Sequence, residues 1–239
     1  MAEDIPVAVW LQTCGQEFVK PYFEACEGIA LVAEAEAAQV GLMLSTCDVY
    51  ALREGLAISE EEPVDRAHHA VECEERFIDT CRRNGLKPVI LRVANCIGTG
   101  MTGWPRRLAA DIYRGWFMHF PDNDARVSAI HATDVAAAGA GLCVYPWPDK
   151  ETLVLNATDA CDPGITDLAN ALAFRMNDKR ISTLSTVGQR WIARVLYGTA
   201  RMRRYTTTIT YDSRKLWSIV RHRPTAVVEY LRNHDYSRD

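Results

Sequence analysis

Short apolar runs alternate with helix-length amphipathic segments along the first half of the chain. Three runs have the length and the uniform hydrophobicity of strands that are buried on both faces: residues 5–11, 40–44 and 88–93. Between them, residues 21–39 and 67–84 carry apolar side chains at helical spacing. Because parallel strands need long crossover connections, this order predicts an α/β fold with a parallel, Rossmann-like sheet.

The second half predicts shorter elements and a helical C-terminal region. A glycine-rich loop at residues 98–103 precedes them. We expect helices at 104–116, 134–142, 164–176 and 186–204, strands at 127–131 and 153–156, and a helix–loop–helix at 216–231 that is interrupted at Pro224. The predicted domains are a truncated Rossmann-like domain at 1–157, with a substrate-side loop at 95–126, and a small, mostly helical C-terminal subdomain at 158–239.

The composition narrows the class of protein. Hydrophobic residues make up 48% of the 239 residues and charged residues 24%, which excludes a disordered tail, a collagen-like repeat and a disulfide scaffold. The acidic residues 1–4 lack the basic flank and apolar run of a signal peptide, and no stretch approaches the ~18–20 apolar residues that span a bilayer. These features predict a cytoplasmic protein without a membrane span.

The eight cysteines have no Cys-x-x-Cys pair and no repeated metal-binding spacing. Most of them stand among apolar neighbours, where a free thiol behaves as a small hydrophobic side chain. We therefore expect buried structural thiols and no metal site.

Charge is distributed unevenly, although the formal net charge is only −4. From Arg180 onward there are 12 basic and 4 acidic residues, so the C-terminal region is basic. This asymmetry fits complementary faces within the fold or across a dimer, an anionic ligand such as a nucleotide diphosphate, or nucleic acid. Nucleic-acid binding is the weaker class because no aromatic-rich RNA motif accompanies the basic residues. The basic helix at 186–204 fits packing on its own domain better than a membrane surface.

Several segments, in chain order, resemble motifs of one enzyme family. Residues 45–50 (Ser-Thr-Cys-Asp-Val-Tyr) resemble a strand end Ser-Ser-x-x-Val-Tyr, and residues 92–100 are similar to Arg-Pro-x-x-Val-Tyr-Gly-Pro-Gly. Residues 129–136 resemble Val-His-Val-x-Asp-Val-Ala, and residues 211–231 resemble a substrate-domain ending. The segment around Gly28 resembles the helix before the serine strand. Together they resemble the extended short-chain dehydrogenase/reductase family, whose members are NAD(P)-dependent epimerases, dehydratases and reductases, many acting on nucleotide sugars.

The resemblance also implies a missing part. Family members begin with a strand and a Gly-x-x-Gly-x-x-Gly turn that holds the cofactor pyrophosphate at a helix N-terminus. No such turn stands ahead of residues 5–11, which resemble the fourth strand of the family. NAD or NADP is thus implied by the resemblance only, no cofactor-binding residue is assigned, and the chain could bind none. Without its usual neighbour this strand would be an exposed edge, so we expect a second copy, another chain or a rearranged N-terminus to cover it.

The catalytic positions of the family are altered. The family uses a Tyr-x-x-x-Lys pair on the helix after the serine strand, with the tyrosine hydroxyl as acid and base. Placing Glu75 on the family's glutamate puts Ala67 at the tyrosine position and Val71 at the lysine position. Thr46 alone keeps a side chain that can bind a substrate hydroxyl.

Histidines near these positions are the obvious substitutes. His68 and His69 have a suitable pKa range for proton transfer, but a helical shift of one residue turns a side chain by about 100°. We therefore expect both to be exposed to solvent. His131 is expected to be a structural residue at a strand end, and Asp134 to be the N-cap of its helix.

Five polar residues are candidates to contact a substrate phosphate: Asn95, Arg106, Arg107, Arg126 and Arg214. Guanidinium groups bind phosphate through paired hydrogen bonds, although each arginine could also be an ordinary surface residue. The favoured hypothesis is a degenerate epimerase/dehydratase-like protein without catalysis of its own, acting as a binding or scaffold subunit. The alternative is an active NAD(P)-dependent nucleotide-sugar epimerase, dehydratase or reductase that is incomplete as given.

Overall fold

The computed structural model describes residues 8–12, 39–52, 54–98, 101–119, 125–176, 181–183 and 205–233. The strands are β1 Ala8–Gln12, β2 Val40–Thr46, β3 Gly55–Ile58, β4 Lys87–Val93, β5 Asn95–Ile97, β6 Met118–His119, β7 Ala129–His131, β8 Leu153–Ala157, β9 Ser182–Thr183 and β10 Ile209–Tyr211. The helices are α1 His69–Arg83, α2 Gly103–Tyr113, α3 Ala132–Val144, α4 Ile165–Arg175, α5 Arg214–Val220 and α6 Val227–Asn233.

Four strands form one parallel sheet in the order β1-β2-β4-β8. β2 and β4 pair along their whole length, from Val40 opposite Lys87 to Thr46 opposite Val93. α1 connects these two strands, as a parallel crossover requires. Three two-stranded parallel pairs, β3 with β10, β5 with β7 and β6 with β9, accompany the sheet. The predicted Rossmann-like α/β fold is confirmed.

α1 is held against the sheet by close packing. Phe77 and Cys81 are fully buried on its inner face. They lie over Gly41 in β2, where the Sγ of Cys81 occupies the space that a Cβ would need. Asn84 caps the last turn, and Gly85 then takes a left-handed conformation with φ of 68°.

Besides the packing of α1 on the sheet, three clusters of buried apolar side chains lie among the described residues. One lies between the sheet and helices α3 and α5, where Leu42, Leu91 and Leu142 are buried. The second joins α2, α4 and α6. The third is smaller and surrounds Tyr50 and Val71 near the carboxyl end of β2. The two-domain boundary at residue 157 stays a prediction.

Some of the predicted strands and helices differ in length or number from those of the structure. The strand predicted at 127–131 is shorter, and its partner β5 was missed because three residues inside a predicted loop carry too little pattern. The helix–loop–helix at 216–231 is confirmed by α5 and α6, which lie on either side of Pro224. The helices predicted at 21–39 and 186–204 lie outside the described residues.

Asp134 is not the N-cap of α3, contrary to the prediction. His131 ends β7 and caps the helix, since its Nδ1 accepts a hydrogen bond from the N–H of Thr133 at 3.2 Å. The Asp134 carboxylate instead binds the C-terminal region, with His222 Nε2 at 2.9 Å and the N–H of Thr225 at 3.1 Å. Asp134 is therefore a hydrogen-bonding residue of the first turn, but its partners belong to the C-terminal region and not to the start of its own helix.

None of the helices in the described part of the chain combines the length and the apolar character needed to cross a membrane.

Candidate functional site

A cavity of about 670 Å³ opens at the carboxyl ends of β2 and β4. Its walls come from the ends of these strands, the start of α2 and residues 207–211. Parallel α/β sheets bind ligands at this edge because the loops that follow the strands converge there. The lining contains both apolar and polar side chains, and the polar ones include Thr46, His68, Asn95 and Arg107.

A buried ion pair lies beneath this cavity. Arg92 in β4 donates two hydrogen bonds to Glu74 in α1, from Nε to Oε1 at 3.1 Å and from Nη2 to Oε2 at 2.8 Å. The hydroxyl of Ser45 in β2 donates to the same carboxylate. Burial would lower the pKa of Arg92, but the hydrogen bonds and charge of Glu74 outweigh it and raise that pKa. Arg92 therefore stays charged, and the hydrogen bonds of Glu74 join two strands to α1.

Tyr50 extends this polar network to Asn156 in β8. Its hydroxyl donates to Oδ1 of Asn156 at 2.6 Å, and the Arg92 guanidinium lies 4.9 Å from its ring centre. Burial raises the pKa of Tyr50 to about 12, although Arg92 opposes this effect. Tyr50 is therefore protonated at neutral pH and serves as a structural donor.

Thr46 stands at the last position of β2 and caps the following turn. Its Oγ1 accepts a hydrogen bond from the N–H of Asp48 at 3.1 Å. Because a hydroxyl has one hydrogen and two lone pairs, the Thr46 O–H can still donate to a ligand. The residue predicted as the remaining substrate-binding position thus lines the cavity.

Ala67 and Val71, the positions matched to the tyrosine and lysine, do not form a site. Ala67 is exposed ahead of α1, and Val71 is buried beside Tyr50. The buried glutamate of α1 is Glu74, whereas Glu75 is exposed. A register anchored on Glu74 moves the two positions to Arg66 and Ala70. Neither register supplies a tyrosine or a lysine.

The expectation that His68 and His69 are exposed to solvent is wrong. Both are half-buried, and their rings stack with centres 4.6 Å apart. His68 is the N-cap of α1 and lines the cavity. Sequence analysis missed this role because histidine is not among the residues preferred at helix N-caps.

The five phosphate-binding candidates separate into two groups. Asn95 and Arg107 line the cavity with Thr46, and Asn95 also donates from Nδ2 to the carbonyl of Ser128 at 2.9 Å. The other three point elsewhere: Arg106 is exposed outside the lining, Arg126 donates to the carbonyls of Asp162 and Cys161 beside a second pocket of about 450 Å³, and Arg214 pairs with Asp212. The structure therefore brings together Thr46, Asn95 and Arg107.

The expectation of buried thiols is met by three of the six described cysteines, whereas Cys96 and Cys143 are partly buried and Cys161 is exposed. Cys47, Cys73 and Cys81 are buried, and burial raises the pKa of the Cys47 thiol. The Cys47 Sγ donates to the carbonyl of Arg92 at 3.2 Å. In the ranges that the structure covers, no group of three or more His, Cys, Asp or Glu side chains is arranged to hold a metal ion.

Comparisons with known proteins identify the fold. No family model matches the sequence, and no curated protein matches it. Among solved structures, it is similar to UDP-N-acetylglucosamine 4-epimerase from Bacillus cereus, with 14% identity, a TM-score of 0.66, and 94% of this chain and 78% of that chain covered. It is also similar to UDP-glucose 4-epimerase with UDP-glucose from Thermotoga maritima, with 17% identity, a TM-score of 0.59, and 93% and 74% covered.

A third similar structure is RMD from Pseudomonas aeruginosa complexed with NADPH, with 18% identity, a TM-score of 0.62, and 95% and 80% covered. The chain therefore has the fold of NAD-dependent epimerases and dehydratases. The resemblance drawn from the sequence motifs is confirmed at the level of the fold.

Three described strand ends of the main sheet do not fit the pyrophosphate of NAD(P). That group needs a glycine-rich turn whose backbone N–H groups open a helix at the end of a strand. β2 is followed by the 3-10 turn Cys47–Val49, β4 by Ala94 and β8 by Thr158, and none of these three is such a turn. The glycine-rich segment 98–103 does lead from β5 into α2, and its residues 99–100 lie outside the described ranges. The residues after β1 lie outside the described ranges.

Replacing Glu74 by Gln should destabilise the protein by about 3 kcal/mol, because Arg92 would remain buried without a countercharge. The control is Glu75→Gln, which makes the same change of charge one residue away on the exposed face and should alter stability by less than about 0.5 kcal/mol. Urea unfolding followed by circular dichroism measures both. Equal effects of the two substitutions would contradict the assigned role of the ion pair.

Proposed function

We propose that the chain is a binding or scaffold subunit with the epimerase/dehydratase fold, which takes a nucleotide sugar in the carboxyl-edge cavity without proton transfer through a Tyr-x-x-x-Lys pair. The observation that carries this proposal is the convergence of Thr46, Asn95 and Arg107 on one cavity. The positions of the family's Tyr-x-x-x-Lys pair carry Ala67 and Val71 when the alignment is anchored on Glu75, or Arg66 and Ala70 when it is anchored on Glu74. Polar recognition is thus retained while the acid–base chemistry is lost.

The cavity has the size and lining of a small-molecule site. Ligand pockets typically enclose about 300–1,000 Å³ and combine apolar walls with a few directed polar groups. Trp104 and Ile209 supply apolar surface for a base or sugar ring. Thr46 can donate to a sugar hydroxyl, and the exposed guanidinium of Arg107 can pair with two phosphate oxygens.

The similar solved structures favour a nucleotide sugar over other anionic ligands. One similar solved structure is a UDP-glucose 4-epimerase with UDP-glucose, and another is a UDP-N-acetylglucosamine 4-epimerase. At 14–17% identity these neighbours support the ligand class and not a particular sugar. We retain the cytoplasm as the expected location.

The second candidate is an active NAD(P)-dependent epimerase, dehydratase or reductase. It is favoured by similar structures that carry NADPH or NAD. Calorimetric titration with NAD+, NADH, NADP+ and NADPH separates the two candidates. Binding of any one would favour the enzyme, and absence of heat from the folded protein would favour the binding subunit.

Arg107→Gln should weaken the binding of UDP-glucose by about tenfold or more, because a charge-assisted contact to phosphate is worth roughly 1.5–3 kcal/mol. The matched control is Arg106→Gln, which removes the same charge from the neighbouring residue outside the cavity. Its affinity should stay within about twofold of the parent protein, since an exposed charge contributes little to binding. Isothermal titration calorimetry measures the UDP-glucose affinity of the parent protein and of both variants. No binding by the parent protein, or equal losses in both variants, would contradict the proposal.

We further propose that a second chain covers the outer edge of β1. In the described part of the molecule, β1 pairs with β2 and with no other strand. An apolar edge strand with unpaired N–H and C=O groups is an aggregation hazard unless it is covered. Light scattering on the purified protein should therefore give at least twice the 26.8 kDa mass of one chain. A well-behaved monomer across a range of concentrations would overturn this proposal.

A further inference from the structure

Ser128 is bonded to three residues of the cavity wall although it does not itself line the cavity. It is fully buried and directly precedes β7. Its N–H donates to the carbonyl of Ile209 at 3.3 Å, and its carbonyl accepts from Nδ2 of Asn95 at 2.9 Å. Its Oγ accepts from the N–H of Tyr211 at 2.9 Å. Asn95, Ile209 and Tyr211 all belong to the lining.

The hydroxyl hydrogen of Ser128 goes to a residue outside that lining. Ser128 donates it to Oδ1 of Asp162, in the turn between β8 and α4. Arg126 holds the same turn, since its Nε and Nη2 donate to the carbonyls of Asp162 and Cys161. A hydroxyl has one hydrogen, so the bond to Asp162 leaves only its lone pairs for the N–H of Tyr211. Asp162 therefore fixes the Ser128 hydroxyl as an acceptor for β10.

β10 needs this support because its own pairing is irregular. The ladder between β3 and β10 shifts register between Ile209 and Tyr211, which are the two residues that Ser128 binds. β5 is only three residues long, and Asn95 is its first residue. Short strands have few ladder hydrogen bonds, and a buried polar group that loses its partner destabilises the local structure. Ser128 therefore holds two short strands in place at the cavity wall.

We propose that Ser128 is a positioning residue for the ligand, which holds Asn95 and β10 in the arrangement that binds the nucleotide sugar without touching it. This inference rests on the proposed function, because the positioned residues line the same cavity. A buried serine that only satisfied its neighbours would affect the stability of the protein and leave the affinity of the folded protein unchanged. The two roles therefore differ in the ligand affinity.

The test is calorimetric titration with UDP-glucose, at a temperature at which circular dichroism shows each variant to be folded. Ser128→Ala removes the hydroxyl and leaves the N–H of Tyr211 without this acceptor. The matched control is Thr80→Val, which removes a buried hydroxyl in α1 that donates to the carbonyl of Arg76 at 2.9 Å, outside the cavity lining. We expect Ser128→Ala to weaken UDP-glucose binding by about tenfold and Thr80→Val to stay within about twofold of the parent protein.

A second readout follows the wall of the cavity without any ligand. In Ser128→Ala, backbone hydrogen exchange at the N–H of Tyr211 should accelerate by about tenfold or more relative to that of Phe77, which is buried in α1 and reports the stability of the rest of the fold. Equal acceleration at both positions would overturn the inference, because it would reflect a loss of global stability alone.

The affinities separate this inference from the proposed function. UDP-glucose binding by Ser128→Ala within about twofold of the parent protein would overturn the positioning role, as would equal losses in Ser128→Ala and Thr80→Val. Absence of UDP-glucose binding by the parent protein would instead overturn the proposed function and this assignment with it.

Discussion

Three elements of this fold meet at one buried ion pair. Glu74 of α1 accepts two hydrogen bonds from Arg92 of β4 and one from Ser45 of β2. Separating such a pair costs several kcal/mol because either charge alone would be buried without compensation. Ser45, which bonds to the pair, directly precedes Thr46 in β2, so the pair holds the strand end on which the cavity is built.

The same interaction links the site to the helix that follows. Because Glu74 anchors α1, the start of that helix and its cap His68 lie at the carboxyl edge of the sheet. Backbone N–H groups then orient the side chains of Thr46 and His68, through bonds from Asp48 and Ala70. The geometry of the site therefore depends on the ion pair between Glu74 and Arg92 and on the capping hydrogen bonds at Thr46 and His68.

The long elements were predictable because their patterns are strong. β2, β4 and α1 follow from apolar runs and helical spacing. The site was only partly predictable. Thr46 and Asn95 lie in segments that resemble the family motifs, and Arg107 lies in the predicted substrate-side loop. The burial of Glu74 in place of Glu75 and the cap at His68 depend instead on helix phase and on the backbone conformation just outside the helix. Apolar periodicity does not determine these features to one residue.

The central claim is that the carboxyl-edge cavity binds a nucleotide sugar through groups that this chain retains. A crystal structure of the protein grown with UDP-glucose tests it most directly. The account predicts density for the ligand between Thr46, Asn95 and Arg107. Density for UDP-glucose at another surface, or an empty cavity in crystals grown well above saturating ligand, would contradict it.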